Sequence, residues 1–167
     1  MTEVKRVYLD HNATTPLRDE ARIAMMAAMD IAGNPSSVHS EGRAAKMLVE
    51  RARVQVANLV GCLPTQVVFT GSATEAAALA VAQKDRHGGR IVSLPTEHDC
   101  LLAWDEPHGD GPALHAMSAA NSETGVIAPT VISNAAVEDG GAVICDITQV
   151  AGKMPVIYGD GPKPSYM

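Results

Sequence analysis

The sequence predicts an α/β fold, a mainly parallel sheet with helices on both faces. Short β-branched runs alternate with longer segments of helical periodicity, the order that parallel strands joined by crossover helices require. Hydrophobic residues make up 46 % of 167 residues but aromatics only 3 %, so the core must be aliphatic and Met-rich. The length suits a single domain, read here as 1–167, with an N-terminal arm and helix over 1–35 and an irregular tail over 156–167.

The elements follow in order. Residues 7–9 (VYL) form a short extended piece before the polar stretch DHNATTP. Thr15 and Pro16 read as N-cap and first helical residue, with Asp19 and Glu20 at the positive end of the dipole. That helix runs to about residue 31 with Leu17, Ala21, Ala24, Met25 and Ala28 on one face. A second helix covers 43–60 and stops at Gly61. Residues 66–70 (QVVFT) read as a buried strand. Ser72 with Glu75 resembles a capping box opening an alanine-rich helix over 73–84. Strands are expected at 90–94, 114–119 and 142–145, a short helix at 99–104, a loop at 105–112 and a helix near 130–138. The final YGDGPKPSYM is too rich in Pro and Gly for regular structure.

Composition excludes several roles. Acidic residues outnumber basic ones 19 to 13, the net charge is −6 and no basic cluster occurs, which argues against nucleic acid. No apolar run approaches the ~18 residues of a membrane span, and MTEVKRVYLD lacks the pattern of a secretory leader. Cys62, Cys100 and Cys145 form neither a disulfide framework nor a CxxC metal pair. These features describe a soluble, cytoplasmic protein without a metal site.

In an open α/β sheet, ligands collect beyond the carboxyl ends of the strands. Four polar groups are expected there. GSATE opens a helix with free N–H groups and the Thr74 hydroxyl, an anion site if it is more than a cap. PTEHD places His98 at a strand-to-helix turn, ANSETG offers Asn121 and Glu123, and Asp146 directly follows an apolar strand, with Gln149 close behind. Taken singly, each is an ordinary cap or polar turn. Taken together, they suit a phosphorylated, protonated heteroaromatic cofactor, its ring nitrogen held by the carboxylate and its ring stacked on the imidazole.

The segments YLDHNATTP, NPSSVHSEGR, VVFTGSATEA, TEH, NSETGV and CDITQVAGK, in this order over residues 7–155, resemble the cysteine desulfurases. These belong to the class V aminotransferase group of pyridoxal-phosphate (PLP) enzymes, and the fold implied is an abridged PLP-dependent transferase large domain. The resemblance implies that Ala73 and Thr74 bind the PLP phosphate. It also implies that His98 stacks on the ring and moves protons, Asn121 faces the ring oxygen side, Asp146 pairs with the pyridine nitrogen and Gln149 bonds the phenolic oxygen. The implied reaction removes sulfur from L-cysteine, leaving alanine and an enzyme persulfide for iron–sulfur cluster or thio-cofactor assembly. The implied assembly is a homo-oligomer or a pairing with a companion chain.

The departures from the family pattern are equally specific. The sequence has five lysines, Lys5, Lys46, Lys84, Lys153 and Lys163, and none lies in the family's SGHK segment, which is absent along with the later persulfide cysteine. Lys153 matches the GK of the family's VGK turn. Lys163, in IYGDGPKP, resembles the lysine of an IYGPKG stretch, which would put a deletion between Val156 and Ile157. A second shortening lies between His98 and Leu114. Cys145 in an apolar strand and Cys62 at a helix C-terminus are poor thiolates, and Cys100 reads as a buried helix cysteine. The resemblance therefore implies a PLP-binding, cysteine desulfurase-like chain that is incomplete or inactive alone. A catalytically dead binding or dimerisation module is the alternative. In the family sheet two strands separate the one like 66–70 from the one like 142–145. Their loss leaves those two either paired directly or exposing an apolar edge that invites self-association.

Overall fold

The computed structural model describes residues 6–106, 108–128, 140–156 and 164–167. The expected helix at 130–138, Lys5 and Lys163 lie outside them. The chain divides into two compact units, Met1–Asn58 with Cys62–Val67, and Leu59–Gly61 with Val68–Met167.

The first unit is helical. Its α1 spans Asp19–Met29, so the expected Thr15–Pro16 start is not used. The Tyr8 hydroxyl donates to the Asp10 and Thr14 carbonyls at 2.7 and 3.2 Å, which ties that stretch into a turn. Arg18 then keeps extended backbone, and the first turn opens at Asp19 and Glu20. No residue of α1 is buried, contrary to the inward face its periodicity predicts. The second helix, α2, spans Ser40–Val60. Its entry requires two glycines. A Cβ on Gly42 would sit 2.5 Å from the Ser37 carbonyl oxygen, and one on Gly33 2.3 Å from that of Glu41. It ends as expected at Gly61, whose φ of +70° lets the Cys62 N–H return to the Ala57 carbonyl at 3.0 Å.

The second unit holds a three-stranded parallel sheet in the order β1 (Ile91–Ser93), β2 (Leu114–Ser118), β3 (Ala142–Asp146). Register runs from Ile91 against Leu114 and Leu114 against Ala142 to Ser118 against Asp146. Helices α3 (Ala73–Val81) and α4 (Asp99–Leu102) accompany it, with a 3₁₀ turn at Lys84–His87 after α3. Ala77, Ala80, Val81 and Leu101 from these helices cluster with Ile91, Leu114, Ala116, Ala142 and Ile144 on one sheet face. The alternate residues Met117 and Val143 are buried with Cys145 and Ala128 against them. Burial of successive strand residues on both faces is the pattern of a parallel sheet.

The strand expected at 66–70 does not form. Residues 67–70 join no ladder, and Val68 and Phe69 are exposed. A strand exists only by pairing, and both sheet edges are otherwise engaged. The Glu106 N–H bonds Ile91 O at 2.8 Å and the Ser93 N–H bonds Asp105 Oδ1 at 2.7 Å along β1. Along β3, Ser165 and Tyr166 donate to Val143 O at 2.9 and 3.0 Å, and Tyr166 O accepts the Cys145 N–H at 2.9 Å. The tail thus makes a parallel bridge between Tyr166 and Ile144, where an irregular end was expected. The 3.1 Å contact between Tyr166 Oη and His87 Nε2 anchors it further.

Candidate active site

The site lies within the second unit, where α3 begins and the strands end. Ser72 caps α3 by accepting the Glu75 N–H at 3.2 Å, and Glu75 Oε2 accepts the Gly71 N–H at 2.6 Å. The Ala73 and Thr74 N–H groups take no partner among the described residues. With the helix dipole behind them, these two donors and the Thr74 hydroxyl form an anion cradle.

The strand ends bring the remaining groups. After β1, His98 caps α4, its Nδ1 accepting the Cys100 N–H at 3.1 Å. A backbone N–H only donates, so Nδ1 is bare and the imidazole's proton sits on Nε2. At the end of β3, Asp146 Oδ1 accepts the Thr148 N–H at 2.8 Å, while Oδ2 takes no partner among the described residues. Gln149 follows in the same turn, its Oε1 accepting from Lys153 Nζ at 2.8 Å.

Ala73, Thr74, His98, Asp146 and Gln149 line one cavity of about 100 Å³, together with Cys100, Ser118, Ala120, Ser122 and Thr148. Asn121 is the candidate that stays outside the lining. Its Oδ1 accepts from the Glu123 and Thr124 N–H groups and the Thr124 hydroxyl, and its Nδ2 donates to Thr96 O at 2.7 Å. That amide is spent on stapling the 121–126 turn, which places Ser122 in the cavity wall. Sequence reasoning missed Ser118 and Glu97. Glu97 is buried to 6 % exposure and accepts Ser118 Oγ–H at 2.5 Å. The only available signal was an acidic residue in the turn after an apolar strand, which must find a partner if buried.

The site's charge balance is acidic. Burial, then Asp146 and Glu97, pushes the Cys145 thiol up to about 11. Burial, then Asp146, also raises the Cys100 thiol, against a lowering contribution from its own backbone hydrogen bond. Both thiols near the site are therefore protonated at neutral pH, as poor as nucleophiles as the sequence suggested. A site that penalises anionic sulfur at its floor favours a cationic group there.

Comparison with known proteins gives the family. The model of the family "Aminotransferase class-V" matches residues 7–109. A cysteine desulfurase of Frankia sp. is 34 % identical over 91 % of this chain and 46 % of its own length. An IscS-like cysteine desulfurase of Mycobacterium tuberculosis is 33 % identical over 91 % of this chain and 48 % of its own. Among solved structures, a NifS-like protein superposes with a TM-score of 0.77 and 28 % identity, covering 90 % of this chain and 51 % of that one. The chain thus spans about half the length of the curated relatives it matches. The α/β sheet and the ordered motifs on it have the same explanation: the chain belongs to the class V aminotransferase family, on its cysteine desulfurase branch, whose cofactor is pyridoxal phosphate.

Proposed function

We propose that the chain is the cofactor-holding portion of a cysteine desulfurase, able to bind pyridoxal phosphate but unable to turn over L-cysteine by itself. One observation carries this reading: an anion cradle at the start of α3, an imidazole after β1, and a carboxylate and an amide after β3 converge on one cavity. The donor set fits the group. Ala73 and Thr74 would bind its phosphate, Asp146 would hold a proton on the ring nitrogen through Oδ2, and Gln149 would donate to the ring oxygen. His98 would stack on the ring and offer its Nε2 proton. Asn121 would hold the wall from behind. When bound, the cofactor supplies an electron sink for bond breaking at the amino acid.

What the cavity lacks sets the limit on activity. Among the described residues no lysine lines it, and Cys100 and Cys145 are protonated. Sulfur removal from L-cysteine, giving alanine and a persulfide for iron–sulfur cluster or thio-cofactor assembly, would need an amine and a thiolate from a second copy or a companion chain. The same two facts favour the second reading, a binding or dimerisation module without turnover of its own. In either case the setting is the cytoplasm and the partners are proteins and small molecules, with no nucleic acid.

Titration of the purified chain with pyridoxal phosphate tests the reading. Saturable perturbation of the cofactor's absorbance is expected, weakened about tenfold or more by Asp146→Asn through loss of a charge-assisted hydrogen bond. Sulfide release from L-cysteine is expected to be undetectable. Failure to bind would sink the cofactor reading, and robust sulfide release from the lone chain would sink the claim of incompleteness.

A further inference from the structure

Two charged side chains outside the cavity lining each bond a polar group inside it. Glu97 accepts Ser118 Oγ–H at 2.5 Å, and Lys153 Nζ donates to Gln149 Oε1 at 2.8 Å. Each bond has one chemically allowed sense. A carboxylate only accepts, so the Ser118 hydrogen is turned to Glu97 and its oxygen is left to accept. An ammonium only donates, so Gln149 shows Lys153 its oxygen and turns its NH2 end away. That NH2 carries two N–H groups, so one can serve a ligand even where the other is engaged.

The consequence is a cavity with opposite polarity on two walls. Ser118 and Asp146 are register partners on adjacent parallel strands, so their side chains share a face and form a wall of acceptors. The buried charge of Glu97 stands behind that wall. Gln149 forms a wall that donates, with the Lys153 cation behind it.

We infer that Glu97 and Lys153 are positioning residues that polarise the cavity, so that it selects a 3-hydroxypyridine ring protonated on nitrogen and ionised on oxygen. This rests on the cofactor reading above and adds to it the two residues that set which tautomer is bound. Neither residue touches the ring. Glu97 raises the affinity of the acceptor wall for N–H⁺, and Lys153 keeps the Gln149 N–H aimed at O⁻.

The test uses the full chain and 4-deoxypyridoxine 5-phosphate, which has the ring nitrogen, hydroxyl and phosphate but no aldehyde, so no lysine is needed. Its near-ultraviolet bands report the fraction of bound zwitterion as a function of pH. In the wild-type protein the zwitterion should persist over a pH window about one unit wider at each end than in free ligand, a tenfold shift of each equilibrium. Glu97→Gln should pull in the upper limit, where nitrogen loses its proton. Lys153→Met should pull in the lower limit, where oxygen gains one, and Lys153→Arg should restore it because a guanidinium also only donates. A merely structural role would move both limits together or neither, and either result overturns the inference. A wild-type window equal to that of free ligand leaves the cofactor reading standing and removes this one. No binding at all removes both.

Discussion

In the first unit no residue of α1 is buried, and Met26 and Met29 stand 63 % and 75 % exposed. In the second, Ile91, Leu101 and Leu114 are almost completely buried, and every residue lining the cavity belongs there. The first unit buries little more than Ala45 and Ala57 of α2, so its helices exclude far less water than the sheet and its helices do. Stability and site geometry therefore belong to the same half of the molecule. In the first unit α2 buries Ala45 and Ala57, whereas α1 carries an apolar face with no buried residue.

Truncation in the core should break this symmetry most visibly. Leu114→Ala, at the centre of the sheet, is expected to cost about 2–5 kcal/mol in urea unfolding through lost burial and a residual cavity. Met29→Ala at the end of α1 should fall within about 0.5 kcal/mol of wild type. Equal losses would show that the first unit shares the cooperative core. Backbone constraint gives the next largest effect. Gly88 has a φ of +96°, and a Cβ there would lie 1.9 Å from the Pro112 carbonyl oxygen, so Gly88→Ala should cost about 2 kcal/mol or more. Gly61→Ala has a similar φ of +70° but open space around it, and about 1 kcal/mol is expected from the backbone alone.

Charge provides the finer contrasts. With its thiol pushed up to about 11, Cys145 should resist alkylation at pH 9 in the folded protein and react readily in urea. An unfolded cysteine ionises near about 8.5. Above that pH the unfolded state loses its proton first, so stability should fall as pH rises from there through 11, and Cys145→Ala should flatten that slope. The smallest effect belongs to the exposed Glu41 at the start of α2. Its own backbone N–H, then Ser40 and His39, lower its carboxyl below the usual 4.5. This contribution is present above the unfolded value and fades as pH falls through the folded one. Glu41→Gln should therefore remove a slight acid-side loss of helix signal by circular dichroism.

Local signals were legible in the sequence, and relations across the sheet were not. The Gly61 stop of α2, the Ser72 cap of α3 and the three strands were readable to within a residue or two, because each is decided by near neighbours. The QVVFT segment misled because β propensity makes a strand only where a ladder forms, and residues 67–70 enter none among the described residues. Asn121 looked like a wall group, yet its amide is consumed by Thr96, Glu123 and Thr124. Glu97 and Ser118 are 21 positions apart, so only folding could reveal that they meet. Lys153 reads in the sequence as the lysine of a GK turn, whereas its bond to Gln149, four residues earlier, is visible only in the structure.

The tail on β3 also makes one peptide group a clock. The Cys145 amide is held by the Tyr166 carbonyl, and the next residue is Asp146. Each time the Tyr166 carbonyl leaves that amide, the amide meets solvent and the edge beside the carboxylate is freed. Hydrogen exchange at Cys145 therefore times both the residence of Tyr166 on the sheet and the intervals during which the floor of the cavity stays in register.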